Sequence, residues 1–515
     1  MNLNFRTLKT LCVLSLLCLL DISGYGDIGQ QGFYGAVEEI NERHAVETLC
    51  IPHVNIKDYT PAMKAREVGF TAGELDSMTD YGRYKGAASR LTYEQAAEDA
   101  ELAFRVFKNC YGAYFYFGGD EAFEKAKDQV LLDCERAGEN LTVGILQEAF
   151  RKNLSFVKDG HFWIGGEPVF TKAVYYSNEE TIFMKDEKSY YTEQNGEKRY
   201  VSLVDGSGAV EEYMKHSIND EGMLVYRLGI LSTEEKKTAE VVFEDGIEKF
   251  ALLSPKLEIQ NIKNNTYYSG YKVDNVSVAE IRSFMDEQSG RQFVGSARTI
   301  KNSRVSILDL RGNSGGMSKY VTDWLDIYDP ALSEYAGGSI FAYRRSRTAD
   351  YLRYRSLGAY LSKQEAALLL SGYRIGSNFW ETGETQAFER SRSSNILFVL
   401  VDSRTFSACE WLIAALRNKD NVIFVGTNSG GGLMGDSAIK IVLPGSRVNI
   451  QCGFGLRFYY DETVFSEESG FCPDIWVSTD AMGHTMNLIS YYGLEPQTCK
   501  GVGKKISDTC YDFDR

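Results

Sequence analysis

Histidine is scarce in this chain of 515 residues. The five present are His44, His53, His161, His216 and His484, so imidazole chemistry near neutral pH has few candidates. Basic charge is short as well: 56 Lys and Arg stand against 71 Asp and Glu, a formal charge of −15. That balance argues against the basic footprint nucleic acid demands. No Cys-x-x-Cys pair and no His/Cys cluster has the spacing of a zinc site. The apolar run from Leu11 to Leu20 has ten residues, too few to span a bilayer, and no other stretch reaches spanning length. These shortages leave a globular chain, 43% apolar and 25% charged, long enough for about three domains.

Two stretches carry chemistry. From Asn395 to Asp436 an apolar strand (Ile396 to Val401) meets a short polar turn, and Ser407 sits where that turn becomes a helix marked by Trp411, Leu412, Ala415 and Leu416. A serine there has an exposed hydroxyl beside helix N–H groups, the setting of a nucleophile with a built-in anion site. The plainer reading makes Ser407 a helix cap, with Glu410 completing a Ser-x-x-Glu capping box. Upstream, the apolar strand Val305 to Leu308 runs into Asp-Leu-Arg-Gly-Asn-Ser-Gly-Gly (Asp309 to Gly316), then a helix from about Lys319. This turn has neither the lysine of a phosphate loop nor a Gly-x-Gly-x-x-Gly pattern. It is either a tight packing turn or a cradle of main-chain N–H groups around a developing negative charge.

Ser-Ala-Cys-Glu at Ser407–Glu410 resembles the Ser-Ala-Ser-Glu nucleophile turn of the S41 peptidases, the tail-specific or C-terminal processing proteases. Ser303 to Gly316 resembles that family's Asp-Leu-Arg-Gly-Asn-x-Gly-Gly block, in the expected order. The resemblance covers roughly Val276 to Val477 and extends weakly back to about Thr142. It implies an α/β fold with a ClpP/crotonase-like catalytic core. Gly315 or Gly316 would supply one oxyanion donor and the N–H of Ala408 the other. S41 enzymes of the Ser-Lys type carry a lysine in a Gly-Lys-Gly turn, whereas this chain has Gly431-Gly432-Leu433 there, and Lys440 lies beyond, inside a strand. Asp159-Gly160-His161 instead resembles the Asp-x-His motif of the histidine-using, tricorn-like members, which makes His161 the expected general base. Glu467-Glu468-Ser469-Gly470 to Asp474 resembles the closing Glu-x-x-Gly-x-x-Pro-Asp segment, with Glu467 as the third member and Glu468 the off-by-one alternative. Taken as residues alone, His161 is a histidine at a turn before a strand, and the Glu467 region an acidic turn.

Along the chain, residues 1–26 read as a secretory signal: Arg6 and Lys9, the apolar run, then Ser23, Gly24 and Gly26. Leu17 before Cys18 departs from a lipoprotein signal. Residues 27–157 are patterned as a helical N-terminal domain and 158–270 as a β-rich middle domain with a turn at Asn195-Gly196. The S41-like core takes 271–490 and a polar tail 491–515. Cys499 with Cys510, then Cys110 with Cys134, are the local disulfide candidates, and Cys409 is expected to face the core. The Tyr/Arg-rich stretch Asp329 to Glu389, with a helix near Lys363–Leu370, reads as an insertion that caps the core or as a solvated excursion.

The expected function is an exported serine endopeptidase working through an acyl-enzyme without cofactor or metal. Its partner would be a partly unfolded or extended polypeptide, with no nucleic acid and with membrane contact only if the signal segment is retained. Two alternatives stand: an inactive S41-like fold binding an apolar ligand or a protein partner, and a surface module in which Ser407 is only a cap.

Overall fold

Continuous runs of β-branched and aromatic residues form the centre of the molecule. The computed structural model describes residues 30–50, 52–63, 69–82, 86–256, 266–333, 339–385, 390–435 and 438–494. The leader 1–26 and the Cys499/Cys510 pair lie outside the described residues. In the central six-stranded sheet the order is Tyr268–Val273, Val276–Ile281, Val305–Asp309, Ile396–Val401, Val422–Gly426 and Ile475–Trp476. The first pair is antiparallel and every later pair parallel.

A parallel sheet covered on both faces explains why these strands read as unbroken apolar runs. Leu397, Val399 and Val401 point into a core with helices Glu287–Asn302, Ser318–Tyr328 and Ala408–Leu416. Ile396, Phe398 and Leu400 point the other way, against helices Gln30–Glu47 and Ala481–Tyr491. The two-residue period of a strand makes that division. Phe398 is wholly buried, 6.4 Å from the Phe33 ring. Phe398→Ala is expected to cost about 3–5 kcal/mol in a urea titration, because a packed sheet cannot close over the lost ring.

The first helix is tied to the sheet by charge as well as by Phe33, Val37 and Ile40. His44 Nε2 lies 2.9 Å from Asp474 Oδ1, Arg43 pairs with the same carboxylate, and the Phe424 N–H donates to Oδ2 at 2.7 Å. Burial pushes the Asp474 carboxyl up, but His44 and Arg43 outweigh it and hold it well below the usual range.

Helices Tyr93–Cys110, Gly119–Ala137 and Val143–Asn153 form the N-terminal helical region, with Thr92 and Thr142 capping the first and third. They share one core with the four-stranded sheet of Ala438–Val442, Asn449–Gly453, Trp163–Ile164 and Glu167–Pro168. The strand following His161 therefore joins two late strands, and the helical region and the late chain are one packed unit. The β-rich segment builds a five-stranded antiparallel sheet (Met184–Lys185 to Gly246–Ala251) and a three-stranded one. Asn195 and Gly196 turn its hairpin with φ of 53° and 82°, as a two-residue turn with both central residues left-handed requires.

The Tyr/Arg-rich insertion is not a solvated excursion. Its strands Ile340–Ser346 and Asn378–Glu384 pair with each other, and Ile340–Ser346 also pairs with Gly455–Phe458. Arg344 is buried beside Trp380, and Ser346 Oγ donates to Asn109 O at 2.8 Å. Cys134 is a free buried thiol, so the Cys110–Cys134 pairing is not formed. Among the described residues no helix is long and apolar enough to cross a membrane, and no group of three acidic, His or Cys side chains is placed to hold a metal.

Candidate active site

Strands Val305–Asp309 and Ile396–Val401 are parallel neighbours, with Asp309 opposite Leu400. The turns that follow them therefore emerge side by side. They are laced together: the Gly312 N–H donates to Asp402 Oδ1 at 2.9 Å, Thr405 Oγ1 to Leu310 O at 3.1 Å, and the Phe406 N–H to Asn313 O at 3.1 Å. Asp309 beneath is held at about 2: burial pushes it up, and Arg282 and Arg311 more than reverse that. The two blocks picked out from sequence thus make one surface.

Ser407 ends the second turn at φ 57°, ψ −116°, a backbone region costly for any residue with a Cβ, on the order of 1–3 kcal/mol. Its N–H donates to Glu410 Oε2 at 3.0 Å, so the capping-box glutamate is in place. Its Oγ lies 3.0 Å from His161 Nε2, across 246 positions of chain. With Nδ1 carrying the ring proton, Nε2 accepts the hydroxyl hydrogen. Gly315, at φ +91°, lies against this residue; a Cβ there would come within 2.9 Å of Ser407 Cβ and 3.0 Å of Ala408 N.

His161 is 7% exposed and packs against the Phe406 ring at 4.9 Å. Its N–H donates to Asp159 Oδ1 at 2.8 Å, and Asp159 Oδ2 accepts from the Tyr111 hydroxyl at 2.8 Å. Burial raises the Asp159 carboxyl, partly offset by the His161 N–H and Tyr111. Gly160 is the point of closest approach: any side chain there would run into Gly431 O.

Glu467 and Glu468 separate cleanly. Glu467 is buried and accepts the N–H groups of Gly160 (2.7 Å), Leu433 (2.8 Å) and Met434 (2.7 Å). It thereby pins the turn that carries His161 to the Gly431 loop. Glu468 faces outward toward Lys158 Nζ at 3.4 Å. Of the two glycine amides, that of Gly315 donates to Asn313 Oδ1 at 2.9 Å. Lys440 is exposed in its strand, and its N–H donates to Ser356 Oγ at 2.9 Å.

Two further groups stand in this cluster that sequence reasoning passed over. Glu410 was visible only as a cap, yet it is buried and also accepts from Ser429 Oγ (2.6 Å) and Gly431 N–H (2.7 Å). Burial pushes its carboxyl up to about 7, against the pull of Ser429 and Lys172. A carboxyl that binds its proton more tightly when folded stabilises fully below its unfolded value near 4.5 and loses that contribution as pH rises to about 7. The loss is on the order of 3 kcal/mol. Glu410→Gln, which cannot ionise, is expected to flatten the fall in unfolding free energy between about pH 5 and about pH 7, read by urea titration at each pH. The second group is Lys172, whose Nζ donates to Gly431 O and, at 2.7 Å, to Glu467 O. A lone lysine between Phe170 and the strand Val174–Ser177 gave no sequence signal.

The structure thus brings a serine in a strained strand-to-helix turn to hydrogen-bonding distance of a histidine. Residues 275–477, which carry Ser407, both glycines, Ala408 and Glu467, match the model of peptidase family S41; His161 and Lys172 lie before the matched span. No curated protein matches the sequence significantly. Solved structures with similarity include mature CPAF (12% identity over 78% of this chain and 96% of that one, TM-score 0.36). Others are the photosystem II D1 C-terminal processing protease (14%, 75% and 93%, TM-score 0.31) and a putative peptidase from Parabacteroides merdae ATCC 43184 (13%, 79% and 99%, TM-score 0.38).

Proposed function

We propose that this protein is an exported serine endopeptidase of the S41 type that cuts extended or partly unfolded polypeptides through an acyl-enzyme. The observation that carries the reading is Ser407 Oγ, held by a strained backbone 3.0 Å from His161 Nε2. His161 takes the hydroxyl proton as Oγ bonds to the scissile carbonyl carbon. The N–H groups of Gly316 and Ala408 receive the negative oxygen. His161 then gives its proton to the departing amine, the C–N bond breaks, and an ester on Ser407 remains. Water, deprotonated by His161, attacks the ester carbon; the C–Oγ bond breaks, His161 returns its proton to Ser407 Oγ, and the carboxylic acid leaves.

Asp159 and Glu467 keep the imidazole in place by fixing the main chain at and just before it: Asp159 through the His161 N–H, Glu467 through the Gly160 N–H. In this reading Glu467 acts through the main chain, its oxygens taking the N–H groups of Gly160, Leu433 and Met434 and none of its bonds going to the ring as in a triad acid; a ClpP/crotonase-like arrangement of the parallel sheet fits the same reading. Export is supported by the pattern of residues 1–26 alone.

Digestion of reduced casein tests the function. Wild-type protein is expected to produce a ladder of fragments without added metal or nucleotide. Casein left whole, with Ser407 inert to a fluorophosphonate, would leave a binding protein in place of an enzyme.

A further inference from the structure

We propose that Lys172 is a positioning residue of this site, its ammonium fastening the Ser407 and His161 segments to one loop and neutralising part of the buried acid around them. This rests on the hydrolytic reading of Ser407 and His161 above.

The geometry runs in two directions from one nitrogen. Lys172 Nζ donates to Gly431 O; the Gly431 N–H donates to Glu410 Oε1 at 2.7 Å, and Glu410 Oε2 accepts the Ser407 N–H at 3.0 Å. Lys172 Nζ also donates to Glu467 O at 2.7 Å, and Glu467 Oε2 accepts the Gly160 N–H, next to His161, at 2.7 Å. Four stretches distant in sequence meet at this ammonium. Aromatic faces enclose it, Phe170 at 4.7 Å and Phe406 at 5.6 Å, and the Phe406 ring also packs on His161.

Charge requires a cation here. Asp159 from the histidine's own turn, Glu410 from the nucleophile helix, and Glu467 with the more distant Glu468 from the late turn all face Lys172; Tyr111 is bonded to Asp159. Three buried carboxyls in one small volume repel one another. An ammonium among them offsets part of that charge. It also favours the ionised form of Glu410, which has three donors to satisfy. Burial lowers Lys172 itself, while Glu467, Glu410 and Asp159 pull it back. The turn Gly430 to Gly432 brings no cation of its own, and Lys172 reaches its Gly431 carbonyl from elsewhere in the chain.

The consequences have a definite sign. Without the cation, protonated Glu410 is favoured, a weaker acceptor for the Ser407 N–H, so activity is lost at a higher pH on the acid side. For Lys172→Met, kcat on a fluorescent casein is expected to fall about tenfold or more with KM within about twofold. The acid limb of its pH profile should move up by about half a unit or more. The measurement is kcat and KM across pH on the full chain, with a thermal melt of each variant. An active wild type alongside a Lys172→Met protein with unchanged kcat and an unchanged acid limb overturns the inference, whatever the melt shows. Should Lys172→Met not fold, Lys172→Gln takes its place; if neither folds, the lysine serves the fold and the inference is again overturned. A wild type that neither cuts casein nor takes up a fluorophosphonate defeats the hydrolytic reading itself, and this inference with it.

Discussion

Ser407→Ala is expected to end casein cleavage, with a loss of about 10⁴-fold or more, and to leave the protein folded. The nucleophilic oxygen is gone, and the remaining parts of the site bind and polarise a peptide without attacking it. Stability should move by about 1 kcal/mol at most. The reason is local: the bond that starts the helix runs from the Ser407 N–H to Glu410 Oε2, and alanine keeps that N–H. Alanine also has a Cβ, so it inherits the strain of φ 57° unchanged. Ser407→Gly makes a sharper companion. It is equally inactive, yet it relieves a conformation only glycine adopts cheaply, so it should melt higher than Ser407→Ala. A fragment ladder that survives Ser407→Ala would place the chemistry elsewhere.

His161→Ala is expected to lose about as much activity at neutral pH, since nucleophile and base act as one unit and removing either removes the unit. Its signature differs from that of the serine variant. Ser407 keeps its hydroxyl, so residual cleavage should climb with hydroxide concentration and not level off near the titration of an imidazole. The fold should suffer more as well, because His161 is 7% exposed and its ring fills space beside Phe406. A casein digest across pH, paired with a thermal melt, reads both. Equal activity in His161→Ala and wild type would remove histidine from the mechanism.

Much of this site could be read before any coordinates. The strand-turn-helix around Ser407 is written in local periodicity, with a capping glutamate three residues on, and local signals survive folding well. The turn at Gly315 and Gly316 follows a strand whose continuous apolar run suits a buried, parallel position. What could not be read is what depends on distant chain. Lys172 meets Gly431 and Glu467 across 259 and 295 positions, and nothing in its neighbourhood marks it. Glu410 was legible as a cap; its burial and its raised protonation come from the Ser429 to Gly431 loop that closes over it. The amphipathic helices of the N-terminal region say that they pack on something larger but not on what. Their apolar faces are met by Ile439, Ile441, Ile450 and Leu456 from the far end of the chain. The His44–Asp474 contact joining the first helix to the last strand is equally invisible in either segment alone.

The pairing of Ser407 with His161 is the claim on which the chemistry stands, and the rate of fluorophosphonate capture, mapped by peptide mass spectrometry, tests it most directly. Wild-type protein is expected to gain one adduct, on Ser407, at a rate that rises with the titration of a single group. His161→Ala should be labelled about a thousandfold more slowly or worse. An adduct on any other residue, or labelling of His161→Ala at the wild-type rate, would contradict it.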